Sequence, residues 1–319
     1  MLPPVTAVVT VPPSLDDSSF EQVLQQLATV PADARVLVDA RHARWASPYG
    51  LTGLLALAQG REVRPSFAPP EAEDTVSYWA RTGFFRHAET LYDFGRSVPR
   101  GRPSGESSVL LEITAVSQAG HVHEVVERIQ ERSRAILHEG LGLESRATIG
   151  FSMTLSEACQ NIVEHAGRGG WVAVQTYRWQ KRLGRRVVVI AVSDAGIGFR
   201  RSLETSSHRP RSDRWDDGMA LEEAVLRGVS RFRDPGRGQG LAGIRRFVGK
   251  WSGKLSVRSG TARIALVPAW DDDVPLAENL PYFPGAQVQI TIPEAARDGG
   301  PAAGGAGAAR PAAAKADLF

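Results

Sequence analysis

Three polar side chains interrupt the largely apolar stretch "SEACQNIVEHA" (156–166) at intervals of four: Glu157, Asn161 and His165. Each helical residue advances about 100°, so an i, i+4, i+8 series drifts only about 40° per step and stays on one face. A carboxylate, a carboxamide and an imidazole in one stripe can accept and donate protons and hydrogen bonds at neighbouring points along a helix. Leu155, Ala158, Ile162 and Val163 fall mostly elsewhere, as in a helix that packs on one side and shows chemistry on another. A solvated amphipathic helix has the same spacing, so the stripe gains meaning only from the motifs downstream in the chain.

Two of these motifs contain glycine. In "SDAGIG" a carboxylate, Asp194, ends an apolar run and precedes Gly196 and Gly198. That gives a hydrogen-bond acceptor beside a sharp turn, where a flat ligand can approach the backbone; Asp194 could take the exocyclic amine of adenine. In "GRGQGLAGI" (236–244), Gly236, Gly238 and Gly240 stand directly before a helical pattern. Exposed backbone N–H groups and the positive end of a helix suit phosphates there. Neither dinucleotide fingerprint fits, because the strand, glycine, helix order and a Walker lysine are absent. Between the two lies 199–237, with the arginine-bearing "RRSLETSSHRPRSDR" and one amphipathic helix, "DDGMALEEAVLRGV" (216–229). Long segments of this kind are often lids whose arginines meet phosphates, and equally often solvated loops.

The elements that must hold these residues can be read from periodicity. In 108–293, a strand at 108–114 precedes a long helix at 121–140, with Gly140 as its C-cap, and then the striped helix. Strands at 171–179 and 185–194 flank "QKRLG", a hairpin turn. A helix at 240–251 and strands at 253–259, 262–267 and 286–292 complete an α+β sandwich with helices segregated to one face. The front of the chain alternates strands (6–11, 35–40, 62–68) with helices ("SFEQVLQQLATV", "PYGLTGLLALAQ", and one across 73–87), which is an open α/β layer. "GRSVPRGRPSGESS" (95–108) reads as a linker, and the Ala/Gly/Pro tract from about Glu294 to Phe319 cannot build a core. The expected division is therefore 1–96, a linker at 97–107, 108–293, and a tail at 294–319.

Composition excludes several function classes. The 319 residues are 42% hydrophobic and 23% charged, as in ordinary globular proteins. A net charge of +3 makes no case for nucleic acid or an anionic membrane. The single cysteine, Cys159, forbids an intrachain disulfide framework and reads as a small buried hydrophobe. With no secretory pattern in "MLPPVTAVVTVPPS" and no apolar run near the ~20 residues of a membrane span, a cytoplasmic location is expected.

The order of the three motifs makes the set specific. A Glu-x3-Asn-x3-His helix, an Asp-x-Gly-x-Gly turn and a glycine-rich stretch before a helix resemble the N box and glycine boxes of the Bergerat-fold ATPases, the GHKL superfamily. Within it, the "SEA…N…H" helix is most similar to that of the anti-sigma-factor serine kinases. The resemblance implies ATP and Mg²⁺ as cofactors, with Asn161 as the magnesium ligand. It implies Glu157 as general base toward the γ-phosphate and Asp194 as the adenine acceptor. Gly196 and Gly198 would shape the adenine pocket, and Gly236, Gly238 and Gly240 would lie along the phosphates. His165 is as well explained by packing or capping as by catalysis. Ala286 departs from the pattern, which has a threonine or serine there to support the aspartate, so weakened nucleotide affinity is expected.

The front of the chain, "VLVDARHARWASPYGLTGLLALA" with "FAPPEAEDTVSYWARTGFF", resembles a STAS domain, the fold of anti-sigma-factor antagonists. Those proteins carry a phosphorylated serine after an aspartate just before a helix. Here the matching pair is Ser47 and Pro48, and proline has no hydroxyl. Ser47, Tyr49 or Thr52 would replace the acceptor only with shifted geometry, so this unit is expected to dock or regulate. Ser47 also fits a plain helix N-cap before Pro48. The resemblances together imply a serine/threonine kinase working by partner switching on a STAS-domain antagonist or a sigma-like factor, with a homodimer also open to it. The alternative is a non-kinase switch that binds or hydrolyses ATP. A histidine kinase would need a separate two-helix phosphoacceptor unit, and gyrase-like machines a transducer domain; neither pattern is present.

Overall fold

The computed structural model describes residues 6–95, 97–100, 109–133, 145–162, 166–179, 183–205, 215–229 and 240–295. The front of the chain runs β1 (Ala7–Thr10), β2 (Ser14–Leu15), α1 (Phe20–Leu27), β3 (Val36–Asp39), β4 (Trp45–Ala46), α2 (Pro48–Gln59), β5 (Ser66–Ala68), α3 (Glu73–Arg81) and α4 (Phe84–Leu91). β1, β3 and β5 form a parallel sheet in the order β1-β3-β5, and β2 pairs with β4. Ser47 is the N-cap of α2, in keeping with its chemistry. Its extended backbone and its hydroxyl, which accepts from the Gly50 amide at 3.1 Å, start the helix where Pro48 needs no partner.

The single helix expected across 73–87 is two. Gly83 sits at φ +81°, a left-handed conformation that ends α3 and turns the chain into α4. The strand expected at 62–68 is confined to Ser66–Ala68.

From residue 109 on come β6 (Val109–Val116), α5 (Ala119–Ser133), α6 (Ser145–Asn161), β7 (Gly170–Trp179), β8 (Arg185–Asp194), α7 (Gly198–Glu204), α8 (Asp217–Leu221), α9 (Gly240–Lys250), β9 (Lys254–Gly260), β10 (Ala262–Leu266), β11 (Leu276–Ala277) and β12 (Phe283–Pro293). The Gly140 cap falls outside the described residues. The helix expected at 216–229 is the short α8, capped by Asp216 accepting from the Met219 amide at 2.9 Å, followed by a π-helical turn at Glu222–Leu226.

The seven strands β6 to β12 form one sheet in the order β11-β10-β9-β12-β8-β7-β6, with every pair antiparallel. On one face Val188, Ile190 and Val192 of β8 meet Leu155, Ala158, Cys159 and Ile162 of α6 and Ile244 and Val248 of α9 in one apolar core. Cys159 is fully buried there, and burial pushes its thiol up to about 12.

The opposite face is covered as well. Trp171, Ala173, Ala191 and Ala195 join Phe20, Leu51, Leu54 and Tyr49 of the front unit in a second core. A two-layer sandwich therefore describes the sheet and its helices, while in the whole chain α2 lies across the sheet's other face.

Candidate functional site

The striped helix reaches its predicted place. Leu155, Ala158, Cys159 and Ile162 of α6 are buried against the sheet, while Glu157 and Asn161 are half-buried at the edge of that packing. His165 lies outside the described residues, as do Gly236 and Gly238.

Glu157 meets the start of α9. A Cβ at Gly240 would overlap the Glu157 carboxylate, so with glycine there the carboxylate lies directly against the start of α9. Two sequence-predicted residues 83 positions apart are thus brought into contact, with a carboxylate beside the amide-rich end of an 11-residue helix.

The other end of the site is built where α6 runs out against the end of β8. Asp194 closes β8, flanked in the sheet by Gly170 on β7 and Ala286 on β12. A Cβ on Gly170 would stand 2.9 Å from Asp194 Cβ and 3.1 Å from Ile162 of α6. Gly196 lies against the Ala166 backbone, which a Cβ would overlap. Gly198 adopts φ +72°, a conformation glycine favours, at the start of α7. The turn is braced by Ser259, whose hydroxyl accepts from the Phe199 amide at 3.1 Å and donates to the Gly285 carbonyl at 2.7 Å.

Asp194 is only 7% exposed, and burial pushes its carboxyl up to about 7; hydrogen bonds from the Gly196 and Ala286 amides pull in the other direction without cancelling that cost. The Gly196 amide donates to Oδ1 at 2.8 Å. At Ala286 it is the backbone, and no side-chain hydroxyl, that faces the aspartate.

An open pocket of about 340 Å³ lies beside this turn, lined among others by Gly198, Arg200, Arg201, Asp217, Tyr282 and Gly285. Glu157, Asn161 and Asp194 do not line it. Of the arginines in 199–214 read as candidates to meet phosphates, Arg200 is engaged with Glu204 at 3.2 Å, and those beyond residue 205 lie outside the described residues.

Residues 147–296 match the family model described as histidine kinase-, DNA gyrase B-, and HSP90-like ATPase. The chain carries a GHKL ATPase domain. That match spans α6, α9 and the strands from β7 to β12, the elements that bring Glu157, Asn161, Gly240 and Asp194 to one end of the sheet. No curated protein matches the chain. β6 and α5 precede the matched segment yet belong to the same sheet and core.

The donor set suits a nucleotide. A buried carboxylate, Asp194, ends β8, and the glycine start of α9 lies against Glu157. Among the described residues there is no group of three or more His, Cys, Asp or Glu that could hold a metal by itself. Mg²⁺ bound here would rest on the Asn161 oxygen together with phosphate oxygens, the mixed coordination this ion favours. No helix among the described residues is long and apolar enough to cross a membrane.

Two residues that support the site escaped sequence reasoning. Gly285, at φ +84°, abuts Asp194 so closely that a Cβ would overlap its carbonyl, and Gly170 makes the same allowance from β7. Their only sequence signal was a glycine opposite a strand end, which has many other causes.

Proposed function

We propose that this chain is an ATP-dependent serine/threonine protein kinase of the anti-sigma-factor type, acting on a separate protein by partner switching, with its STAS-like front unit as the regulator. The observation that carries the reading is the contact of Glu157 with Gly240, which sets a carboxylate at the start of α9, while Asp194 ends β8 near the last turn of α6. In this reading the organisation is 1–96, a linker at 97–107, an ATPase unit at 108–293 and a tail at 294–319. Asp194 accepts the adenine amine, Gly196 and Gly198 shape its pocket, and Gly236, Gly238 and Gly240 offer amides to the phosphates. Glu157 takes the proton of the attacking hydroxyl, whose oxygen then bonds to the γ-phosphorus as the bond to the leaving ADP oxygen breaks. Mg²⁺ on Asn161 supplies charge neutralisation at the phosphates when bound.

The front unit is a poor substrate in this arrangement. Ser47 is 5% exposed, Tyr49 2% and Thr52 0%, so every hydroxyl near the usual acceptor position is shut in. That observation also favours a second reading, a nucleotide-gated switch that binds or hydrolyses ATP without transferring phosphate.

The deciding experiment follows the γ-phosphate from labelled ATP with Mg²⁺, with the protein alone and with candidate STAS-domain partners, and Glu157→Ala as control. Acid-stable label on a partner, lost in Glu157→Ala, supports the kinase. Free phosphate or intact bound ATP supports the switch, and absence of ATP binding overturns both.

A further inference from the structure

The front unit does more than cover the sheet, because its contacts converge on the two strand ends that hold Asp194. Successive residues of a strand point to opposite faces. Asp194 therefore shares the face of Val192, on the α6 side of the sheet, while Ser193 looks toward α2, and there the Ser193 and Thr52 hydroxyls lie 2.9 Å apart. Gln287, the cross-strand partner of Ser193 on β12, reaches the same hydroxyl at 3.3 Å. Gly53 of α2 lets the helix approach so closely that a Cβ would sit 2.5 Å from Gln287 Nε2. On the far side of Asp194, Ala195 is buried in the front core. Phe283, which begins β12, stacks edge-on against Phe20 of α1 with ring centroids 6.2 Å apart.

Both β8 and β12 are thus seated on α1 and α2 beside the carboxylate, while the residues paired with Asp194 itself, Gly170 and Ala286, carry no side chain beyond a methyl to hold it. We propose that α2 buttresses the sheet behind the nucleotide site and that Thr52 is a positioning residue: through Ser193 it fixes Asp194, so docking of the front unit and nucleotide affinity are thermodynamically coupled. The coupling is reciprocal; a partner protein that loosens α2 weakens nucleotide binding, and bound nucleotide tightens α2 by the same factor. This inference rests on the reading of Asp194 as the adenine acceptor.

The test measures affinity of the full chain for a non-hydrolysable Mg²⁺-ATP analogue by calorimetry. Thr52→Val and Ser193→Ala each weaken binding about three- to tenfold, and the double variant is no weaker than either alone, since both remove one link. Thr52→Ser, which keeps the hydroxyl, binds as the parent does. In the parent chain, adding the analogue slows hydrogen exchange across residues 48–59, a readout that does not depend on any variant folding. Binding by the parent with unchanged affinity in Thr52→Val and unchanged exchange in α2 overturns the coupling while leaving the nucleotide site intact. Failure of the parent to bind at all overturns both.

Discussion

The two faces of the seven-stranded sheet are built from different chemistry. Toward α5, α6 and α9 the central strands present Val188, Ile190, Val192, Val288, Ile290 and Ile292, a uniformly apolar surface. Toward the front unit, β9 and β12 present Lys254, Ser256, Arg258, Gln287, Gln289 and Thr291, all buried. Arg258, fully buried, makes a paired contact with Glu21 of α1 at 2.7 and 3.0 Å, and also donates to the Gly260 and Pro281 carbonyls. Lys254 lies between Asp271 and Asp273, at 3.0 and 2.8 Å, with Asp17 of the front unit at 3.7 Å. Near β7 and β8 the front contact turns to Trp171, Ala173 and Ala191, with Tyr78 donating to Gln175 at 2.9 Å at its margin. An apolar face makes a permanent core, because no arrangement without a cover is stable in water. A face of charges and hydrogen-bonding groups, most of them paired but with Gln287 Oε1 and Thr291 Oγ1 lacking a partner among the described residues, resembles the interfaces between domains that can separate, since each polar group has water as an alternative partner.

That contrast can be broken at its strongest point. Glu21→Ala leaves the Arg258 guanidinium buried without its carboxylate and should cost about 3 kcal/mol in urea unfolding of the full chain. Replacing both partners with apolar residues, Glu21→Leu with Arg258→Met, should recover most of the loss, because the penalty is that of an unpaired charge. On the helix face, Ile190→Val removes one buried methylene and should cost about 1 kcal/mol, with no such rescue.

Asp194, at the end of β8, gives a pH signature. Its carboxyl is raised to about 7, so the folded chain holds a proton that the unfolded chain releases near the ordinary carboxylate value. The sign is that of a buried acid: its contribution to stability is present below that ordinary value and is lost as pH rises toward 7. Nucleotide affinity should run the other way, increasing between about pH 6 and 8 as the acceptor ionises, and Asp194→Asn should weaken binding and abolish that rise. Calorimetric titration at several pH values checks both. The smallest effect concerns Cys159. Fully buried and with its thiol held near 12, it should not react with a thiol reagent in the native protein, and one equivalent should react on denaturation.

The elements that carry the candidate residues could be read largely from spacing alone. The i, i+4 placement of Glu157 and Asn161 on α6 and the strand-ending Asp194 are local features, fixed by periods of 3.6 and 2 that the residues display directly. The N-cap at Ser47 is local in the same sense. The break at Gly83 and the π-helical turn after Leu221 were missed because periodicity continues across both while the backbone does not.

By itself, then, the sequence determined the order of elements, the helix-facing core and the identity of the motifs, since each arises from neighbours along the chain. Only the tertiary structure decided that Gly240 closes on Glu157 and that Gly285 and Gly170 make room around Asp194. It also decided that the polar side of β9 and β12 is buried. Alternation in "KLSVRS" and "AQVQITI" predicts a half-solvated strand, and it gives the same pattern whether water or a charged partner covers the polar side. Glu21 and Arg258 lie 237 positions apart, and no local period can report that they meet; only the folding of the front unit onto the sheet does.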